Sequence, residues 1–262
     1  TGDDEHALAL ERLLKNDGLD AAGLVRSGSR VTTVKTRIIS GHQHVVRVDE
    51  EMESDITAQE ERMLLARVEE LLQRERPGVV VLEDYNKGVL TAGVISGVIA
   101  LAKKAGVPVA VDPKKRNFFV YQGVTLFKPN LKELREGLKI DIDGGKQASV
   151  REAVAQLEQR LGNTISLITL SEHGIHAHSG QEEHAFPAHA RSIADVSGAG
   201  DTVIAVAALC LAQGLPLASL AALSNLAGGL VCEHVGVVPI DRAQFIEEAA
   251  HLDIHATVAG RS

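Results

Sequence analysis

The chain has 262 residues, 45% of them hydrophobic, and a formal net charge of -8 from 27 Lys and Arg against 35 Asp and Glu. That length and apolar share suffice for one full core, while the acidic balance excludes a general nucleic-acid binder, whose phosphate contacts demand a basic surface. There is neither an apolar run long enough to span a bilayer nor a basic-then-apolar leader at Thr1 to Glu5, and the two cysteines, Cys210 and Cys232, lie in apolar helical patterns, so a cytoplasmic chain without membrane insertion or a disulfide framework is expected.

Asp3 and Asp4 are placed to cap a helix reaching Leu14. Residues 31–39 and 45–49 alternate as strands do, with Val31, Thr33, Lys35 and Arg37 on one face and Gly41 in the turn. A helix over 57–73 ends near Pro77, and the apolar run 79–82 reads as a buried strand. A helix over 94–104 stops at Gly106 before a strand over 107–111; another over 149–161 precedes a strand over 165–170. This alternation predicts a mostly parallel sheet flanked by helices. A hairpin is expected around Ser179 and Gly180, then apolar helices over 198–213 and 217–234 and an amphipathic one over 241–251. No internal repeat or low-complexity linker interrupts the chain.

The segment Asp195-Val196-Ser197-Gly198-Ala199-Gly200-Asp201-Thr202 runs directly into an apolar helix. Its small residues let the N–H groups of Gly198, Ala199 and Gly200 approach an anion, and free N–H groups and the helix dipole together stabilise negative charge there. Such donors, aimed at a transition state, contribute about 10²–10³ in rate. A carboxylate at Asp201 would take the proton of a hydroxyl attacking a phosphoryl group. The same spacing also describes a glycine turn capping a buried helix, with an acid in the first turn where acids are favoured anyway. The Walker pattern Gly-x-x-x-x-Gly-Lys-Ser/Thr is absent, and Val203 stands where a dinucleotide fingerprint needs its third glycine, so those nucleotide folds drop out.

Residues 195–202 resemble the anion-hole signature of the ribokinase-like carbohydrate kinases, the phosphofructokinase B family, in which the aspartate after Gly-Ala-Gly is the base; the resemblance gives that role to Asp201. Lys128-Pro129-Asn130-Leu131-Lys132-Glu133 is similar to the family's Asn-x-x-Glu element. This implies that Asn130 and Glu133 organise Mg2+ through water and that Lys128 lies near the phosphates of ATP, chemistry that suits a hard cation reluctant to shed its waters. Taken alone, 130–133 is equally a capping box. Thr169-Leu170-Ser171-Glu172-His173-Gly174 resembles the nucleotide loop, and Ser224-Asn225-Leu226-Ala227-Gly228-Gly229 and Gly236-Val237-Val238-Pro239 resemble the segments near adenine. ATP binding is therefore also expected of Thr169, Ser171, Gly174, Asn225 and Val238. Val237 replaces the family's threonine, and Gly228 stands where alanine is common. The implied fold is α/β, a ribokinase-like mostly parallel sheet flanked by helices, with a small β-strand lid at about 29–50 and the whole of 1–262 forming one kinase domain.

Within the family the likeness is nearest to bacterial heptose 7-phosphate kinases of ADP-heptose synthesis for lipopolysaccharide. It is carried by Arg30-Val31-Thr32-Thr33-Val34-Lys35-Thr36-Arg37 with 43–49, by Glu83-Asp84-Tyr85-Asn86-Lys87-Gly88, by Val111-Asp112-Pro113-Lys114 and by Asp195-Val196-Ser197; Asn86 and Lys115 depart from the usual glycines. The resemblance implies transfer of the ATP γ-phosphoryl group to the anomeric hydroxyl of D-glycero-D-manno-heptose 7-phosphate, and a homodimer formed through the lid strands. Lys35, Arg37, Arg47, Asp84 and Lys87 are the expected substrate-binding residues, since Arg and Lys supply local positive charge for a sugar phosphate; a solvated cationic strand face is the other reading.

The family begins with a strand, a sugar-gripping aspartate and a Gly-Gly segment before the point matched by Thr1-Gly2-Asp3-Asp4-Glu5. The chain is thus expected to be N-terminally truncated, split or incompletely represented, and the resemblance leaves open whether it is active as it stands. The His-x-Gly-His nucleotidyltransferase signature is absent. Alternatives to the heptose reading are a same-fold kinase for another sugar or nucleoside, a non-catalytic ribokinase-like subunit, and an α/β protein that binds phosphate without turnover. His173, His176, His178, His184 and His189 suggest a polar hairpin rather than a metal site, and Tyr85, Phe118, Phe119 and Tyr121 could line the sugar pocket but are more often core and are left unassigned.

Overall fold

Asp4 stands in extended backbone and accepts from Ala7 N at 2.9 Å, so the helix it caps, α1 (Glu5–Asn16), begins where expected. Its other oxygen accepts from Thr32 N at 2.8 Å, and Gly2 N donates to Thr32 Oγ1 at 2.9 Å, which knits the helix start to the strand region. The computed structural model describes residues 1–40, 43–189 and 191–252. The chain divides into two units, Thr1–Arg76 with Asn86–Leu101, and Pro77–Tyr85 with Ala102–Ser262.

In the first unit β1 (Val34–Ser40) and β2 (Gln43–Glu50) pair antiparallel. The strand starts later than the sequence suggested, leaving Val31 and Thr33 outside it; the expected turn at Gly41 lies outside the described residues. The register puts Thr36 with Val48 and Ile38 with Val46 on one face, and Lys35 with Asp49 and Arg37 with Arg47 on the other. Helix α2 (Ala58–Glu75) opens on a reciprocal Thr57–Glu60 capping box. Helix α3 (Ala92–Ala105) approaches α2 through Gly93 and Gly97: a Cβ on Gly97 would lie 2.7 Å from Leu65 Cδ2. Gly88 must be glycine, since φ is +75° and a Cβ would overlap Ser54 O.

The second unit holds a six-stranded sheet whose spatial order follows the chain: β3 (Val80–Glu83), β4 (Val109–Asp112), β5 (Leu126–Phe127), β6 (Ile165–Thr169), β7 (Ile175–Ser179) and β8 (Glu182–Phe186). Strands β3 to β6 run parallel, while β7 and β8 add an antiparallel margin through the expected hairpin. Helices α4 (Leu131–Leu138) and α5 (Gln147–Leu161) join β5 to β6. The run 79–82 is not the buried strand expected: β3 lies at the edge of the sheet formed by the described residues, Val81 is 39% exposed, and within β3 only Leu82 is buried. An apolar run is compatible with either place, because the pattern does not say whether a neighbour lies on both sides.

Helices α6 (Ala199–Ala212) and α7 (Leu217–Val231) pack on each other and on the sheet, α6 against β4 and α7 against β7 and β8. Val203, Ile204, Ala207, Leu220 and Ala221 form a core with Leu126 and Leu167 from the strands; each large apolar side chain buried there contributes about 1.5–3 kcal/mol. The close approach of α7 is possible at Gly228, where a Cβ would stand 2.7 Å from Val203 Cγ2. Cys210 is buried in α6, Cys232 is half-buried at the cap of α7, and both are free thiols. Asp241 caps α8 (Arg242–Ala249).

Candidate active site

Side chains just past the C-terminal ends of parallel strands converge on one edge of an α/β sheet, where ligands of such folds bind. Here Glu83 ends β3, Asp112 ends β4, Lys128 follows β5 and Thr169 ends β6, all in the second unit. The first turn of α6 adds Asp201, and carboxyl oxygens of Glu83, Asp112 and Asp201 lie within 4.8 Å of one another. Asp201 is exposed, so it faces this group rather than the interior.

Lys128 Nζ lies 3.0 Å from Asp112 Oδ2, with Lys128 2% and Asp112 5% exposed. Lys114 Nζ stands 3.9 Å from Asp112 Oδ1 and 2.6 Å from Glu133 Oε1. Burial pushes the Asp112 carboxyl up, although the two lysines pull it back. The Glu83 carboxyl is pushed up to about 7, first by burial, then by the charges of Asp112 and Asp201 and a hydrogen bond with Asp201, against Lys128. Burial and the charge and hydrogen bond of Asp201 likewise raise the Tyr85 phenol. Of the aromatics left between pocket and core, Tyr85 is 52% exposed, whereas Phe118 and Tyr121 are buried in the core.

The entrance to α6 is built by one carboxylate and two glycines. Asp195 Oδ1 accepts from Ser197 N at 3.0 Å and Ser197 Oγ at 2.9 Å, and Oδ2 accepts from Gly236 N at 3.0 Å, which holds its carboxyl below the ordinary range. Gly198 takes φ +81° as the cap, and Val237 Cγ1 lies 3.1 Å from where its Cβ would be. A Cβ on Gly200 would stand 3.7 Å from Asp112 Oδ2 and 3.8 Å from Lys128 Nζ, so the bare side of that glycine opens on the ion pair. Of the expected anion-hole donors, Ala199 N is turned to Val196 O at 3.3 Å. The N–H groups of Gly200 and Asp201 meet no acceptor among the described residues, leaving them to an anion.

Asn130 and Glu133 form the capping box of α4, with Asn130 N to Glu133 Oε2 at 2.9 Å and Glu133 N to Asn130 Oδ1 at 2.8 Å. Each Glu133 oxygen thus has a partner, one of them Lys114, but each keeps a lone pair. The pair therefore fits a Mg2+ ion held through its waters, not by direct ligation. A β-bridge joins Asn130 to Thr169, bringing together two of the residues expected to bind ATP. Ser171 (φ +55°) and Gly174 (φ +89°) shape the following turn, closed by Leu170 N to Gly174 O at 2.7 Å. Asn225 Nδ2 donates to Pro187 O at 2.8 Å, and Val238 is half-buried beyond Gly236.

The expected substrate-binding residues fall differently. Asp84 is buried, accepting from Tyr121 Oη at 2.8 Å and Asn117 Nδ2 at 3.4 Å; alternation along the strand turns Glu83, not Asp84, toward Asp201. Within the first unit, Lys35 pairs with Asp49 and Glu51, Lys87 with Glu51 and Glu53, and Arg47 with Asp49 through two nitrogens. Arg37, exposed, has no ion pair among the described residues. Reasoning from the sequence did not single out Glu83, Asp112 or Lys114, although all three lie in segments that carried the resemblance. The hairpin histidines go to separate partners: His178 Nδ1 contacts Glu158 at 2.9 Å, and His176 is buried 3.7 Å from Glu183. A cavity of about 560 Å³ at the α4–α5 turn, lined by Arg135, Asp141, Asp143 and Lys146, contains none of the site residues.

The sequence profile of the pfkB family carbohydrate kinases matches residues 1–242. The chain is 37% identical over 247 residues to the bifunctional protein HldE of Methylobacillus flagellatus, covering 94% of this chain and 50% of that protein. It is 36% identical over 265 residues to HldE of Trichlorobacter lovleyi, covering 99% and 53%. The chain thus spans about half the length of the curated relatives it matches. Among solved structures it is similar to phosphofructokinase-2 from Escherichia coli in complex with potassium (TM-score 0.79, 16% identity, 96% of this chain and 80% of that one). It is also similar to Arabidopsis thaliana ribokinase complexed with ribose and ATP (TM-score 0.72, 20% identity, 95% and 79%). At these identities the structures show the fold alone, which is ribokinase-like. No described helix is long and apolar enough to cross a membrane.

Proposed function

We propose, from the premise that this chain belongs to the pfkB family of carbohydrate kinases, that it serves transfer of the γ-phosphoryl group of ATP to a sugar hydroxyl, with Asp201 as the base. One observation carries this: an exposed carboxylate stands in the same helical turn as two N–H groups that meet no acceptor among the described residues, beside a glycine whose open side faces a buried lysine. Asp201 accepts the hydroxyl proton as the oxygen attacks phosphorus. Charge building on the transferring oxygens is met by the Gly200 and Asp201 N–H groups and the α6 dipole, with Lys128 close by. Mg2+, held by Asn130 and Glu133 through water, would supply further neutralisation of the phosphates.

The preferred acceptor is the anomeric hydroxyl of D-glycero-D-manno-heptose 7-phosphate, supported by the four segments quoted above and by the relatives named HldE. A hemiacetal hydroxyl is more acidic than a simple alcohol, so a carboxylate is base enough. Lys35, Arg37, Arg47 and Lys87 are the cations assigned to the sugar phosphate, and among the described residues Arg37 has no carboxylate to displace. A homodimer through 29–50 belongs to the same reading. The hairpin face bearing Ile38, Val46 and Val48 is about half exposed and apolar, which a second copy would cover. A cytoplasmic setting supplies the ATP.

The test is Asp201→Asn, assayed with ATP, Mg2+ and a panel of sugar phosphates and free sugars. Turnover is expected on the heptose 7-phosphate, and its loss in the variant with ATP binding intact. Turnover retained in the variant refutes the base, and turnover on a different sugar alone refutes the heptose assignment.

A further inference from the structure

In the first unit two lysines from separate stretches of chain close on one carboxylate. Glu51 follows β2; its Oε2 lies 2.9 Å from Lys35 Nζ on β1, and its Oε1 lies 2.6 Å from Lys87 Nζ. All three side chains are half-buried. The backbone beneath them is tied without help from these ion pairs. Arg30 donates to Ser54 O at 2.7 Å, Met52 O at 3.4 Å and Lys87 O at 2.7 Å, and Ile56 N donates to Gly88 O at 2.9 Å. Each ammonium also has a carboxylate of its own, Asp49 at 3.4 Å from Lys35 and Glu53 at 2.8 Å from Lys87. Among the described residues only Glu51 touches both lysines.

A carboxylate with one oxygen on each of two ammonium groups stands where a bridging anion would. A phosphate monoester carries about −1.5 to −2 charge near neutrality and three acceptor oxygens, so it competes well for a pair of lysines held by a single charge and two oxygens. We propose that the gap between Lys35 and Lys87 is the seat of the phosphate of a sugar phosphate, and that Glu51 is its internal competitor, which the phosphate displaces on binding. The inference rests on the reading that these lysines take the substrate phosphate. Until displaced, Glu51 offsets the repulsion between the two ammonium groups and keeps weakly bound anions out. Asp49 and Glu53 hold the lysines in place once it leaves. Removing the Glu51 charge should therefore strengthen phosphate binding, the reverse of what loss of a structural ion pair would do. Relief of two half-exposed pairs amounts to about three- to tenfold in affinity.

Two measurements on the full chain test this. Glu51→Gln and the control Glu53→Gln replace a carboxylate by an isosteric amide outside any helix or strand, so both should fold. In the first measurement inorganic phosphate is titrated into the unliganded protein at constant ionic strength while the ¹³Cε signals of labelled lysines are followed by NMR. The two signals that vanish in Lys35→Met and Lys87→Met are expected to move together. Their Kd should fall about three- to tenfold in Glu51→Gln and change by less than about twofold in Glu53→Gln, whose carboxylate is 74% exposed and reaches one lysine only. Unmoved signals, or a Kd that Glu51→Gln leaves unchanged or raises, overturn the proposal. An equal gain in Glu53→Gln also overturns it, because the cause would then be the general field and not the bridging position. In the second measurement KM is compared for a sugar phosphate and for ATP. Glu51→Gln should lower the first by the same factor and leave the second unchanged; a fall in KM for ATP instead would give the lysine pair to the nucleotide and overturn the sugar-phosphate seat. The expected NMR result with no sugar phosphorylated by the wild type would leave the anion seat standing and defeat the kinase reading. Turnover of a sugar phosphate without the NMR response would defeat the seat alone.

Discussion

Gly200→Ala separates a catalytic site from a mere glycine turn, because the two readings predict opposite costs. Gly200 lies in the first turn of α6, and a methyl there would meet Asp112 Oδ2 at 3.7 Å and Lys128 Nζ at 3.8 Å, both ordinary contacts. The fold should therefore accept it. Exchanging a helical glycine for alanine contributes about 0.5–1 kcal/mol, which for a chain of this size raises Tm by about 1–4 °C. For phosphoryl transfer the methyl is ruinous. It occupies the space above the ion pair and keeps an anion from the free Gly200 and Asp201 N–H groups, and loss of one such donor alone costs about 10²–10³ in kcat. Differential scanning calorimetry paired with a coupled ADP-release assay reads both quantities from one preparation. A more stable variant with undiminished kcat would refute placing the transferred group over Gly200, and a clearly destabilised one would refute the open geometry of this turn.

Lys128→Met should destabilise the chain by roughly 3–5 kcal/mol in urea titrations, because it strands Asp112 as an unpaired buried charge. Adding Asp112→Asn should restore much of that loss, and a strictly additive double variant would contradict the pairing. His176 is 1% exposed, and burial holds it down at about 4, against the pull of Glu183. Above pH 6.5 neither folded nor unfolded chain protonates it. As pH falls from 6.5 to about 4 the unfolded chain takes up the proton first, so this residue removes up to about 3 kcal/mol of stability. His176→Gln should flatten that part of the stability profile, measured by denaturation at pH 7 and pH 4.5; an unchanged slope would show that other groups set it.

What the sequence made legible was governed locally. Asp4, Thr57 and Asp241 each begin a helix because a short polar side chain reaches the N–H three residues on, whereas α6 starts on Gly198 at φ +81° with no side-chain cap, a start its Gly-Ala-Gly run announces. What stayed hidden depends on neighbours distant in the chain. β5 is two residues long and exists as a strand only through pairing with β4 and β6. Adjacent Glu83 and Asp84 must face opposite ways, yet which one meets Asp201 is decided by Tyr121 and Asn117, which hold Asp84 inside. The Asn130–Glu133 spacing was read both as a capping box and as a metal element. The structure forms the box, and the metal role of the same two residues belongs to the proposed function.

The triple grip of Asp195 mechanically couples two stretches of chain. Any ligand that shifts the turn at Gly236 drags on the same carboxylate that holds Ser197, and Val237 fills the space beside the capping glycine at 198. Slowed amide exchange at Ser197 on filling the 236–239 side would be the trace of that linkage, a means for occupancy by the donor nucleotide to tighten the cradle in which its own phosphate is handed over.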